Sequence, residues 1–244
     1  YMGFEPQLRE VAEQMPAADD GRQTMMFSAT WPKEVQSLAS DFLSNPVRIH
    51  VGGGADGNLV ANKDIAQHVE LHQNSISKLE SLSRLLVDMD DNTPRGHGCH
   101  SVVFVARKRD ADMVAADIRD SRSGGRVAAL HGDLTQARRD RVLRDVKDGR
   151  VQVLVATDVA ARGLDVRTIR QVINYDMPTN MEDYIHRIGR TGRAGAKGEA
   201  HTFVHPTQDA PHVVKLTKLL ADHDQPCPPD LQQLADKLRP LKLP

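Results

Sequence analysis

Short apolar runs alternate along the chain with stretches of helical spacing. Ile65–Leu71, Val102–Val105, Val127–Leu130, Val151–Ala156, Gln171–Tyr175 and Ala200–Val204 predict strands. Between them, Leu79, Leu82, Leu86 and Met89 share one face of a helix from about Ser77, where Ser77 and Glu80 match a capping box. Ala111–Ile118, Gln136–Lys147 (closed by Gly149), a segment from Thr179 with Glu182 as capping partner, and Val213–Leu220 predict further helices. This alternation reads as an α/β fold with a mainly parallel sheet. In the first fifty residues, Gln23–Phe27 and Val47–Val51 predict strands. Pro32 opens a helix whose Val35, Leu38, Ala39 and Phe42 face a core. No internal repeat is visible.

A run of glycines and polar residues without periodicity, Gly52 to Asn62, predicts a flexible linker. The expected organisation is an incomplete first piece at 1–51, a linker at 52–63, a full domain at 64–208 and a C-terminal helical tail at 209–244. The tail is proline-punctuated, with a short helix near Leu231–Leu238. Two strands and two helices are too few to bury a core alone, so the chain is expected to begin inside a domain.

The 244 residues are 39% apolar and 27% charged, which excludes collagen-like, low-complexity and highly charged disordered classes. No stretch approaches the roughly 20 apolar residues that span a bilayer, and the first ten residues lack the pattern of a secretory signal. Cys99 and Cys227 are too few for a disulfide framework, so a reducing, intracellular setting is expected. The net charge of −1 gives no sign of a nucleic-acid partner, yet 101–150 holds 12 basic against 8 acidic residues, a local excess of +4.

Three segments carry chemistry. Tyr184 to Arg193 reads YIHRIGRTGR, with Arg187, Arg190 and Arg193 unaccompanied by an acid. Guanidinium groups fork onto phosphates and keep their charge, so the segment suits a polyanion clamp; otherwise it is a solvated basic turn. The second segment runs from Val153 to Asp165. It reads either as a strand delivering Thr157 and Asp158 to a ligand-binding carboxyl edge, or as a plain junction with Asp158 as N-cap. In the third, His131 to Arg139, Gln136 and Arg139 occupy a helix's first turn and are placed to meet a backbone phosphate, whereas Arg138, Arg141 and Arg144 read as a charged helix face.

Ser28-Ala29-Thr30, Val103-Phe104-Val105, His131-Gly132-Asp133, Ala156-Thr157-Asp158 with Arg162-Gly163-Leu164-Asp165, and His186 to Arg193 follow in an order that resembles the C-terminal half of DEAD-box RNA helicases. These are superfamily-two ATPases built from two RecA-like domains. The resemblance spans Tyr1 to about Val204. Met2 to Gln7 resembles the stretch after the acidic motif that names the family, and Ser28 to Val35 resembles the eukaryotic nuclear RNA-processing branch. It implies a RecA-like parallel sheet preceded by the tail of another RecA-like domain. It also implies Arg190 and Arg193 as arginine fingers on ATP, and Asp165 on its ribose. His186 and Arg187 would couple that site to Ser28 and Thr30. Gln136, Arg139, Thr157, Gly132 and Gly163 would lie on the RNA backbone, giving sequence-independent binding.

The chain has no G-x-x-x-x-G-K-[ST] loop, no D-E-A-D run and no upstream adenine-reading glutamine motif. ATP and Mg2+ are therefore expected to be held mainly by a first RecA-like domain, the chain being a piece of a longer enzyme and inactive alone. Further expectations are a location in the nucleus, the cytoplasm or both, no membrane partner, and pairing or swapping through 23–27. The competing reading is a non-catalytic RNA- or protein-binding RecA-like module. No metal site is expected. His97-Gly98-Cys99-His100 lacks a second cluster, and His201 and His205 read as ordinary strand residues.

Overall fold

The computed structural model describes residues 4–17, 21–28, 31, 33–49, 61–92, 100–121, 126–161, 166, 168–193 and 195–239. The chain divides into two compact units, Tyr1–Val60 and Ala61–Pro244.

In the first unit, α1 (Glu5–Glu13) starts on Pro6, whose fixed φ suits a first helical turn. α2 (Lys33–Phe42) buries Ala39, with Val35, Leu38 and Phe42 half-buried on the same face. Arg9 ties the helices, accepted by Glu5 and, at 2.5 Å, by Asp41. The expected strands are absent: 22–28 and 46–49 carry no ladder pairing. A strand exists only through a neighbour that completes its hydrogen bonds, and the described residues of this unit supply none. Met25, Phe27, Val47 and Ile49 consequently stand exposed, Phe27 at 88%.

The second unit is a six-stranded, all-parallel sheet in the order β1-β6-β5-β2-β4-β3. Its strands are β1 (Ile65–Leu71), β2 (Ser101–Phe104), β3 (Val127–Leu130), β4 (Val153–Ala156), β5 (Gln171–Asn174) and β6 (Gly198–Val204). Central strands β2, β4 and β5 are buried on both faces, which is why they read as continuous apolar runs. On one face Val103, Val155, Ile173 and Phe203 meet α3 (Ser75–Asn92) and α4 (Lys108–Ser121) through Leu82, Leu86, Ala115 and Ile118. On the other, Phe104, Leu154, Ala156 and Val172 meet α5 (Gln136–Lys147) and the short α6 (Asp158–Ala161) through Val146 and Ala160. α7 (Met181–Ile188), α8 (Ala210–Asp222) and α9 (Pro229–Leu238) complete the unit. Leu216, Leu231 and Ala235 are fully buried, so α8 and α9 belong to its core.

Both predicted capping boxes shift to a neighbouring asparagine. Asn74 accepts the Ser77 N–H at the start of α3, and Asn180 accepts the Asp183 N–H at the start of α7. α3 extends through Asn92, and residues 93–99 lie outside the described residues. Residues 52–60 of the expected linker also lie outside them. Ala61 is already buried, its N–H donating to His223 Nε2 at 2.8 Å.

His72 caps β1 in a buried position, edge-on to Phe203 at 4.6 Å and facing Glu70, Ser77, Lys78 and Arg84. Burial pushes its imidazole below the ordinary value near 6.5, against the pull of Glu70. The unfolded chain therefore takes up this proton first, and stability falls as pH drops through about 6.5. Denaturation midpoints measured at about pH 7.5 and 5.5 should fall further for the native chain than for His72→Gln; equal falls would show that His72 contributes nothing.

Candidate functional site

Four parallel strands end side by side along one carboxyl edge. β3 leads into His131, β4 into Thr157 and Asp158, β2 into Val105 and Ala106, and β5 into Tyr175 and Asp176. Open α/β sheets bind ligands at such an edge. Thr157 is buried, its N–H donating to Leu130 O at 3.2 Å while its carbonyl accepts from Ala160 and Ala161.

The guanidinium of Arg187, three residues before Arg190, lies at the centre of this edge and is 3% exposed. Its Nε and Nη2 donate to the two Asp158 carboxylate oxygens at 2.6 and 2.7 Å. Nη1 donates to the Asp176 carbonyl at 2.6 Å, and the group lies 5.1 Å from the centre of the Phe104 ring. A planar fork, always charged and weakly hydrated, is the side chain best able to fill this position. α7 is thereby fixed to the ends of β4, β5 and β2. Asp158 is the first residue of α6 and both its oxygens accept from Arg187, so it is not the expected N-cap, and Arg187 is engaged within the fold.

Four residues on, Thr191 is buried and donates to the carbonyls of Ile169 and Arg170, both at 2.9 Å. Gly192 has φ +65°, and a Cβ there would lie 2.5 Å from Ile65 Cγ1. A Cβ on Gly198 would lie 2.4 Å from the Thr191 hydroxyl. Both glycines are required by close approach. The Asn62 amide donates to Gly192 O at 2.7 Å, closing the far side of the turn. Arg190 lies between the Arg187 and Thr191 anchors, Arg193 directly follows the second, and both are half-buried. Arg190 lines a small cleft with Phe104, Asp158, Ala161, Asp183, His186 and Arg187, whereas Arg193 Nε donates to Gly189 O at 3.0 Å.

Residues 77–195 match the family described as the helicase conserved C-terminal domain. Over 236 residues the chain is 46% identical to the DEAD-box ATP-dependent RNA helicase 46 of Arabidopsis thaliana, covering 97% of this chain and 34% of that protein. It is 45% identical over 234 residues to the ATP-dependent RNA helicase dbp2 of Emericella nidulans, covering 96% and 39%. Among solved structures, the C-terminal domain of the DEAD-box protein Dbp5 aligns over 66% of this chain and 87% of its own, at 36% identity and a TM-score of 0.54. S. cerevisiae Dbp5 bound to RNA and ADP BeF3 aligns over 98% and 59%, at 31% identity and a TM-score of 0.76. This chain belongs to the DEAD-box RNA helicase family. It spans about a third of the length of the curated relatives it matches, and the parallel sheet is the RecA-like helicase C-terminal domain of that family.

The other expected DEAD-box positions are distributed as follows. His186 is exposed at the cleft. Gln136 and Arg139 stand in the first turn of α5, which Thr135 caps by accepting from Arg138 N–H; Gln136 also donates to Asp140 at 2.8 Å. Gly132 is exposed, and a Cβ there would meet only the Lys108 chain at 3.5 Å, so the fold itself does not demand glycine. Ser28 is exposed in an irregular segment of the first unit. Thr30, Gly163 and Asp165 lie outside the described residues. Sequence reasoning missed Thr191 and Asn62 as anchors and the pairing of Asp158 with Arg187. The available signal was an aspartate directly after a buried strand. No helix among the described residues is long and apolar enough to cross a membrane.

Arg187→Ala strands the Asp158 carboxylate and leaves a cavity beside Phe104. It should lower unfolding stability by about 3 kcal/mol, the scale for removing one partner of a buried pair. His186→Ala, on the exposed side of the same helix, should change it by less than about 0.5 kcal/mol in the same denaturant titration.

Proposed function

We propose that this chain forms the closing half of an ATP-dependent RNA helicase. Arg190 and Arg193 serve as fingers on the γ-phosphate, and Asp165 meets the ribose. The observation that carries this reading is the double anchoring of the turn, by Arg187 on Asp158 and by Thr191 on the carbonyls of Ile169 and Arg170 just before β5, which holds two permanent cations on one short, fixed segment. Transfer of a phosphoryl group needs charge neutralisation and positioning more than covalent chemistry, and a finger is worth about 10³–10⁵ in rate in GTPases. The acids at this edge are engaged elsewhere. Asp158 holds Arg187, and Asp176 holds Lys78 and the Ala106 N–H. Mg2+ and the bulk of ATP therefore fit a phosphate-loop domain that closes on this one, and hydrolysis is gated by that closure. Arg187 is a positioning residue in this scheme, while His186, Ser28 and Thr30 couple the two domains.

RNA runs past Gln136, Arg139, Thr157, Gly132 and Gly163, which face its backbone rather than its bases. The cocrystallised RNA and ADP BeF3 of the similar Dbp5 support both ligand classes. Binding is sequence-independent, and closure bends one strand and melts a short duplex. The plant and fungal relatives support a eukaryotic branch, and the proposed setting is RNA processing in the nucleus, the cytoplasm or both. The alternative of a non-catalytic module lacks a reason for two arginines on one anchored turn, with Arg190 lining the cleft. The exposed apolar residues of 23–27 would pair with the remainder of the first domain.

The decisive variant is Arg193→Ala in an enzyme joining this chain to a phosphate-loop domain. RNA-stimulated hydrolysis should fall by about 10³ or more while the ATP dissociation constant moves only a few-fold. Parallel collapse of ATP affinity would contradict the finger role, and measurable turnover by the 244 residues alone would contradict the division of labour.

A further inference from the structure

β1 is an edge strand of the sheet, and its face toward the α3 and α4 side is open to water near its start: Ala66 and His68 are exposed where Ile65, Gln67 and Val69 are buried. In the parallel register His68 lies directly opposite His201 of β6, and Glu199 stands two residues before His201 on the same face. A residue pair spaced i, i+2 on one strand and a third opposite it on the neighbour converge on one point above the sheet. The imidazoles of His68 and His201 stack with centroids 4.8 Å apart and planes 20° from parallel. One ligand atom from each of the three residues lies within 4.8 Å of the other two, and His201 Nε2 stands 3.4 Å from Glu199 Oε2. Tetrahedral zinc with bonds of about 2.0–2.1 Å holds its ligand atoms about 3.3–3.4 Å apart, so to share one ion the His68 ring must tilt out of the stack and Glu199 swing in, and both side chains are exposed.

His201 is buried, its side chain 10% exposed, and its Nε2 makes only that long contact among the described residues. A 3.4 Å contact is long for a hydrogen bond, so Nε2, the ring nitrogen that faces Glu199, keeps coordinating capacity that the fold leaves unused. The reading of His201 as an ordinary strand residue does not account for that.

We propose that His68, Glu199 and His201 form a binding site for a divalent ion of the zinc type, with a fourth position open to water. Two imidazoles and one carboxylate are a nitrogen-oxygen set that suits Zn2+, and also Cu2+ or Ni2+, far better than Mg2+ or Ca2+, which require oxygen ligands. The ligands come from within β1 and β6, whereas Thr157 and Gln136 stand beyond the carboxyl ends of β4 and β3. The ion would staple the edge strand to its neighbour. Its expected consequence is a more stable second unit, because an ion that binds the folded state alone stabilises it.

The test is titration of the 244-residue chain with Zn2+ by calorimetry, with Co2+ as a spectroscopic probe. One equivalent should bind and raise the melting temperature, and Co2+ should give the intense visible bands of a four-coordinate site. His68→Ala and Glu199→Gln, both at exposed positions that leave the core intact, should each weaken Zn2+ binding by about 10-fold or more. His205→Ala should leave it unchanged. Absence of binding at micromolar Zn2+, binding unaltered by His68→Ala and Glu199→Gln, or binding lost on Cys99→Ser instead would each overturn the site.

Discussion

The two-toothed contact between Arg187 and Asp158 is the interaction on which the functional edge depends. It joins the second turn of a helix to the end of a central strand, and through Asp176 and Phe104 it reaches the ends of β5 and β2. Burying a guanidinium is costly unless its donors are all met and its charge is opposed. Here the opposing carboxylate, a main-chain carbonyl and an aromatic face meet that requirement together. The reward is positional: a buried charge of this kind has one low-energy arrangement, so the turn that follows it has one as well. Thr191 and Gly192 repeat the logic with short side chains, one tied to two carbonyls and one admitted only because it has no Cβ.

The sheet was legible in the sequence because its central strands are covered on both faces. A strand of this kind must be apolar at every position, and Val153–Ala156 could be little else. Helix starts were legible less well. Ser77 and Thr179 have the right chemistry for caps, but an asparagine lay within three residues of each, and its longer side chain reaches the same orphan N–H groups. The strand expected at Gln23–Phe27 has the right composition and no strand beside it in its own unit. β structure is decided by the neighbour, which a local pattern does not contain.

The arginine-rich turn shows what spacing alone can and cannot convey. Read along the chain, Arg187, Arg190 and Arg193 form a cluster without an acid, and all three are equivalent candidates for a phosphate. Folding brings Asp158 from 29 residues away and divides them: one cation becomes internal structure and two stay at the surface. The net charge of −1 concealed the local excess of 101–150 in the same way. The edge of the sheet at β1 illustrates the converse. His68 and His201 are 133 positions apart and chemically unremarked in the sequence, and only the parallel register stacks their rings.

The central claim is that Arg187 positions the turn bearing Arg190 and Arg193 from within the fold. Hydrogen exchange on the amides of Gly189, Arg190 and Thr191, which donate to Ile185, Arg187 and Ile188, reads that positioning directly. In Arg187→Lys the charge survives and the fork is lost. These three amides should then exchange faster than in the native chain while β2 and β4 keep their protection. Unchanged exchange in the turn, with the sheet equally intact, would contradict the claim.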